Sequence, residues 1–225
     1  MIYQTIIFAF ITLCPAIIFA ENATKTVIGV EIYYETRCGD SIRFIEQQLL
    51  PSYAALKDHL DITFIPYGKA THKYDESTGA WEFSCQHGPL ECAGNKAQAC
   101  GLDAIKKHEA TENQQFYSVN FVGCIMKAGH DEILPVENCA RSANLKEETV
   151  TQILNCKNND TIADVLLVAH GEKTKTLNPS LSFVPTVVIN KEYPSDQGNY
   201  IRNNFVKSIC DRLPTTEVKP QICTA

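Results

Sequence analysis

Beyond residue 20 the chain has no apolar run long enough to cross a bilayer, which takes ~20 residues. It has no internal repeat and no low-complexity segment, so a repeat architecture or collagen-like rod is excluded. Basic residues are in the minority, 20 against 26 acidic, for a formal net charge of -6. A general nucleic-acid binder would need the opposite balance. The first twenty residues carry no charged side chain at all. What is abundant is cysteine, ten in 225 residues. A chain this long does not need so many for want of a core, and an average cytosolic enzyme does not carry them.

Ile6 to Phe19 is mostly apolar, and Ala20 is followed by the polar Glu21-Asn22-Ala23-Thr24. This reads as a secretory signal peptide over residues 1–20, cut after Ala20, with a single domain from 21 to 225. The apolar stretch is too short for a membrane anchor. Cys14 leaves with the leader, so nine cysteines remain, an odd number. In an oxidising compartment that predicts one free or intermolecular thiol beside disulfides. Asn22 and Asn159 stand in glycosylation sequons, whereas Asn178 is blocked by Pro179.

Val27 to Glu35 reads as a buried strand. Ile42, Ile45 and Leu49 then fall on one helix face, and Pro51 interrupts that helix. Ile62 to Pro66 is a second strand, and Gly68 to Ser84 reads as polar loop. Helices are expected over Gly88–Lys107, Gln114–Ala128, Glu147–Leu154 and Thr161–Lys173. Strand character returns at Phe183–Asn190, and a last helix runs through Ile201, Phe205 and Ile209. Strands separated by helices predict an α/β fold with a mainly parallel core sheet. The helical block, about 85–175, is an insertion between the second and third core strands.

Cys38 stands where the first strand ends and the first helix begins. Unpaired N–H groups and a partial positive charge at a helix start favour a thiolate, the form that attacks disulfides. A dithiol oxidoreductase would carry its second cysteine three residues on. Here that position is Ser41, so the segment is Cys38-Gly39-Asp40-Ser41. Arg37 is expected to offset the charge of Asp40. Val184-Pro185 opens the third strand, where a proline marks a special turn or a strand start.

Pro66-Tyr67-Gly68, Trp81-Glu82-Phe83, Cys85-Gln86-His87-Gly88-Pro89-Leu90-Glu91-Cys92, Asn95 and Cys100 together resemble the signature of the gamma-interferon-inducible lysosomal thiol reductase family. The likeness continues through Tyr33-Tyr34-Glu35, Cys124, Cys139, Cys156, Phe183-Val184-Pro185, Cys210 and Cys223, across nearly the whole chain after the leader. It implies a thioredoxin-like core and reduction of protein disulfides in an endolysosomal lumen. It implies no prosthetic cofactor, with an external small-molecule thiol as reductant. In thioredoxin-like folds a cis-proline lies beside the active thiol and leaves backbone free to pair with substrate, which makes Val184 and Pro185 substrate-binding candidates.

The family carries Cys-x-x-Cys, and Ser41 departs from it. Serine cannot resolve a mixed disulfide, though its hydroxyl could donate to the Cys38 thiolate. Two readings follow. One is a monothiol oxidoreductase, secreted or endolysosomal, acting on disulfide-containing proteins through Cys38. The other is a secreted binding protein with little catalysis, including a dimer linked through Cys38.

Cys85, Cys92, Cys100, Cys124, Cys139, Cys156, Cys210 and Cys223 are even in number and can close on themselves, which leaves Cys38 as the odd one. Cys210 and Cys223 are near enough in the chain to pair. Cys85, His87 and Cys92 lack a standard zinc spacing, so no metal is expected. His87 is read as holding a local turn rather than as a base for Cys38. His170 is read as a surface residue of its helix, and Trp81 and Phe83 as packing the insertion onto the sheet.

Overall fold

The computed structural model describes residues 25–194 and 198–224. The leader at 1–20 and the sequon at Asn22 lie outside them. Strand β1 is Ile28–Tyr34 and β2 is Leu60–Pro66, with β5 at Thr186–Ile189. They form one sheet in the order β2-β1-β5. Strand β1 runs parallel to β2 over its full length, with Ile28 opposite Leu60 and Tyr34 opposite Pro66. Against β5 it is antiparallel, with Val30 opposite Ile189 and Tyr33 opposite Thr186.

The expectation of a mainly parallel sheet is corrected by β5. The crossover rule governs a strand that returns through a simple helical connection. Here the chain returns through a hairpin and five helices, and it enters the sheet from the opposite end.

Alternation along β1 creates two unequal faces. Ile28, Val30, Ile32 and Tyr34 join the main core with Phe64, Val187 and Ile189, under Phe44, Ile45, Leu49, Ile105 and Phe121. Tyr33, Ile65 and Val188 form a thinner layer on the other face with Leu177, Leu181 and Tyr193. At roughly 1.5–3 kcal/mol per fully buried large apolar side chain, the first face supplies most of the driving force.

The helix after β1 starts as α1 (Gly39–Phe44), widens to a π turn over Ile45–Leu49, and continues as α2 (Leu50–Leu56). Pro51 sits in the first turn of α2, and the wider turn ahead of it bridges the missing N–H donor.

The segment read as polar loop is instead a hairpin, β3 (Thr71–Asp75) and β4 (Ala80–Ser84). Its aromatic residues alternate onto one face, where Trp81 meets His72 and Tyr74 at ring-centroid distances of 5.3 and 5.1 Å. The turn is set by Asp75, whose side chain accepts from Ser77 N–H at 2.9 Å, and by Gly79 at φ +69. Phe83 packs with Tyr67, Ala70 and Leu167, which joins the hairpin to the helical region.

The insertion comprises α3 (Pro89–His108), α4 (Thr111–Lys127), α5 (Val136–Ser142), α6 (Glu147–Lys157) and α7 (Asp160–Lys175). Helix α3 is its axis, packed against α4, α6, α7 and β2. Helix α5 was not among the helices expected. The expected last helix is two short ones, α8 (Asn199–Asn203) and α9 (Phe205–Cys210), separated at Asn204. His170 is half-buried on α7 rather than at its surface, and burial pulls its imidazole down to about 4. Among the described residues, no helix is long and apolar enough to cross a membrane.

Eight cysteines form four disulfides: Cys85–Cys92, Cys100–Cys156, Cys124–Cys139 and Cys210–Cys223. Cys38 is free and buried.

Candidate active site

Strand β1 ends in a buried run, Tyr33, Tyr34 and Glu35, and the chain turns through Thr36 and Arg37 to Cys38. Cys38 keeps extended backbone at φ -74 and ψ 119, and its carbonyl accepts the N–H of Ile42 at 2.9 Å. It therefore caps α1, with its thiol at the end where helix N–H groups lack partners. Its Sγ lies 4.0 Å from the carbonyl of Val184, within reach of an S–H donor. The Val184–Pro185 peptide is cis. Cys38, Val184 and Pro185 are thus brought together from opposite ends of the chain.

Ser41 is fully buried, but it does not donate to Cys38. Its Oγ accepts from the amide of Glu35 at 3.4 Å. The carbonyl of Glu35 in turn accepts from Cys38 N–H at 3.4 Å. Both of these bonds to the thiol-bearing turn are made by backbone groups of Glu35.

Arg37 does not offset Asp40. Its guanidinium reaches away to the carbonyls of Asp131 at 2.8 Å and His130 at 3.3 Å, tying the turn to the insertion. Asp40 pairs instead with Arg43 and, at 3.6 Å, with Arg202. Arg202 also donates to the Val184 carbonyl at 3.5 Å and stacks over Phe183, 5.3 Å from its ring centroid. Nothing in the sequence singled out Arg202, because only the fold brings α8 to this turn.

A buried polar network fixes Thr36. Asn95 Oδ1 accepts from the Thr36 amide at 3.0 Å and from its hydroxyl at 2.7 Å. Gln98 donates to Thr36 Oγ1 at 2.8 Å and accepts from the Tyr34 hydroxyl at 2.6 Å. Helix α3 approaches so closely that a Cβ on Gly94 would meet Thr36 Cγ2 at 2.6 Å.

The signature segment lies beside Glu35. His87 Nδ1 is 2.5 Å from Glu91 Oε2 and 3.3 Å from Glu35 Oε2. Glu35 and Glu91 are fully buried. Burial holds the Glu35 carboxyl above its usual range, and the nearby Glu91 adds to that, against an amide bond from Lys69. The Cys85–Cys92 disulfide removes both thiols from any zinc set. The remaining donors, Glu35, His87 and Glu91, fit a shared proton better than a cation. Two donors ~2.1 Å from one zinc ion stand ~3 Å or more apart, and 2.5 Å is a hydrogen-bond distance. Sequence reasoning does not single out Glu35 as a site residue, although a carboxylate directly after Ile32-Tyr33-Tyr34 and three residues before Cys38 is a visible signal.

Residues 29–143 match the family profile described as Gamma interferon inducible lysosomal thiol reductase (GILT). The chain belongs to this family. It is 30% identical over 221 residues to GILT-like protein 1 of Drosophila melanogaster, covering 96% of this chain and 86% of that one. It is 27% identical to the Gamma-interferon-inducible lysosomal thiol reductase of Mus musculus, covering 88% and 72%. Among solved structures it is similar to BdbD of Bacillus subtilis, with a TM-score of 0.52 at 13% identity, covering 81% of this chain and 85% of that one. It is likewise similar to MdbA, a thiol-disulfide oxidoreductase from Actinomyces oris, with a TM-score of 0.53 at 11% identity, covering 84% and 83%. The fold is therefore thioredoxin-like with a helical insertion, and membership of the GILT family makes the chain a thiol–disulfide oxidoreductase.

Proposed function

We propose that this GILT-family chain reduces protein disulfides as a monothiol through Cys38. The observation that supports it most is the placement of the one free thiol among the described residues, between a helix start and the Val184–Pro185 segment. The Cys38 thiolate attacks one sulfur of a substrate disulfide, forms a mixed disulfide and releases the other substrate sulfur as thiolate. Ser41 has no thiol with which to break that bond. An external thiol therefore attacks the Cys38 sulfur and frees the second substrate thiolate. A second external thiol regenerates Cys38 and leaves as its own disulfide. In sum, one substrate disulfide and two small thiols become two substrate thiols and one small-molecule disulfide.

Val184 and Pro185 flank the thiol where an extended substrate would lie. The leader, the four disulfides and the sequons favour a secreted or endolysosomal lumen, where such bonds persist. Asn159 is exposed and caps α7 through Oδ1, which leaves Nδ2 for a glycan.

Turnover of a disulfide-bonded protein with a small thiol, at acid and neutral pH, tests the proposal. Native chain should turn over and Cys38→Ala should not. Equal rates for the two would overturn it. A non-reducing gel shows whether Cys38 is instead held in a covalent dimer.

A further inference from the structure

The signature residues His87 and Glu91 are not used in the exchange step, yet they are built against the turn that carries the thiol. Glu35 Oε1 accepts the Lys69 amide at 2.7 Å. Its Cγ occupies the space where a Cβ on Gly68 would sit, 2.2 Å away, and Gly68 has φ +59. Glu35 is therefore clamped from one side by the connection between β2 and β3. From the other side, its Oε2 faces His87 at 3.3 Å without a hydrogen bond, and it is a buried oxygen with no partner. His87 Nδ1 is directed at Glu91, and the His87 amide also donates to Glu91 Oε1 at 3.2 Å. The Cys85–Cys92 disulfide closes this loop.

A count of protons gives this arrangement its meaning. Two buried carboxylates face one imidazole nitrogen, which lies at hydrogen-bond distance from Glu91 alone. An ionised Glu35 would leave Oε2 as a bare buried charge beside a second carboxylate, which is costly. A proton on Glu35 removes that charge and turns Oε2 into a donor. We propose that Glu35, His87 and Glu91 form a shared-proton latch that positions the Cys38 turn, so that thiol reactivity follows the latch's protonation as well as the thiol's own ionisation.

The coupling runs through the Glu35 backbone, which bonds both Cys38 N–H and Ser41 Oγ. When Glu35 loses its proton, His87 must be shared between two carboxylates, and the Glu35 backbone moves with its side chain. The charged and titratable groups around Glu35 are Lys69 from the β2–β3 connection, His87 from the β4–α3 connection and Glu91 from α3. Around the thiol they are Asp40 and Arg43 on α1 and Arg202 on α8. These three are untouched by the latch variants and serve as an internal control. The latch residues are positioning residues. The inference rests on Cys38 being the working thiol, but its test does not require turnover.

The test is the rate of Cys38 alkylation by iodoacetamide from about pH 4 to about pH 9. Native protein should depart from a single-ionisation curve by about threefold or more, the effect of a nearby charge. Glu35→Gln, which keeps the shape and fixes the neutral form, should follow a single-ionisation curve. If Glu35→Gln does not fold, His87→Asn decides, since His87 is exposed: the departure should vanish or move along the pH axis. A native profile with one ionisation overturns the latch. So does a departure that survives unchanged in the folded variant. Alkylation that shows the departure in a chain that reduces no disulfide would sink the function proposed above and leave the latch standing.

Discussion

Ser41 Oγ accepts the amide of Glu35 at 3.4 Å, so the residue at the resolving position faces the strand end and not the thiol of Cys38. The side chain is fully buried and its space is defined. The helix start supplies the placement that a dithiol site needs, and only the second sulfur is missing.

Ser41→Cys should therefore restore intramolecular resolution. Turnover with a small thiol is expected to rise about tenfold or more where release of the mixed disulfide limits the rate. Trapped mixed disulfide, measured by mass spectrometry, should fall in parallel. Unchanged turnover with unchanged trapping would show that release is not limiting.

Asn95→Ala should loosen the turn from the α3 side. It leaves the Thr36 amide and hydroxyl without their acceptor inside the protein. An unsatisfied buried group costs ~1–3 kcal/mol, to be read by chemical denaturation. Asn95→Asp keeps the acceptor oxygen and separates loss of the bond from loss of packing.

The disulfides should differ in worth by loop length. Cys100–Cys156 spans 56 residues and Cys210–Cys223 spans 13. Loop-closure entropy gives about 4 kcal/mol for the first and about 3 for the second. Replacing the Cys100–Cys156 pair by alanines is expected to lower the denaturation midpoint more than replacing the Cys210–Cys223 pair. The reverse order would place the stability in the tail.

Glu35 and His170 should bend the pH dependence of stability in opposite directions. Burial lowers the His170 imidazole from 6.5 to about 4, partly opposed by Asp103, so its contribution is present above 6.5 and lost as pH falls toward 4. Burial raises the Glu35 carboxyl above 4.5, so its contribution is complete below 4.5 and lost as pH rises. His170→Gln is expected to flatten the acid limb of stability against pH, and Glu35→Gln the neutral limb. Denaturation at several pH values checks both slopes.

Local patterns in the sequence reveal the parts of the fold that depend on local chemistry. The apolar run of β1, the helix face of Ile42, Ile45 and Leu49, the Cys38 junction and the long insertion helices all follow from residue periodicity. The β3–β4 hairpin was hidden because its strands are half-exposed and polar at alternate positions, and its aromatic residues pack on one another more than on a core. The direction of β5 was hidden because it is set by where five helices deliver the chain. At the site, the Cys38–Val184 contact and the ties of Arg202 join residues far apart in the chain. The latch was half legible: His87 and Glu91 stood four apart in a conspicuous motif, while their third member lay on another element.

A chain that exchanges disulfides has to survive its own chemistry. Exchange needs a sulfur that an incoming thiolate can reach. Cys85, Cys124 and Cys223 keep partial exposure, so three of the four bonds present a sulfur to attack, whereas in Cys100–Cys156 both sulfurs belong to buried residues and Cys100 is fully enclosed. Packing thus shields Cys100–Cys156 more than the other three bonds from neighbouring copies and from the reductant that recycles the thiol. The bond that closes the longest loop is therefore the one that an exchanging milieu reaches last.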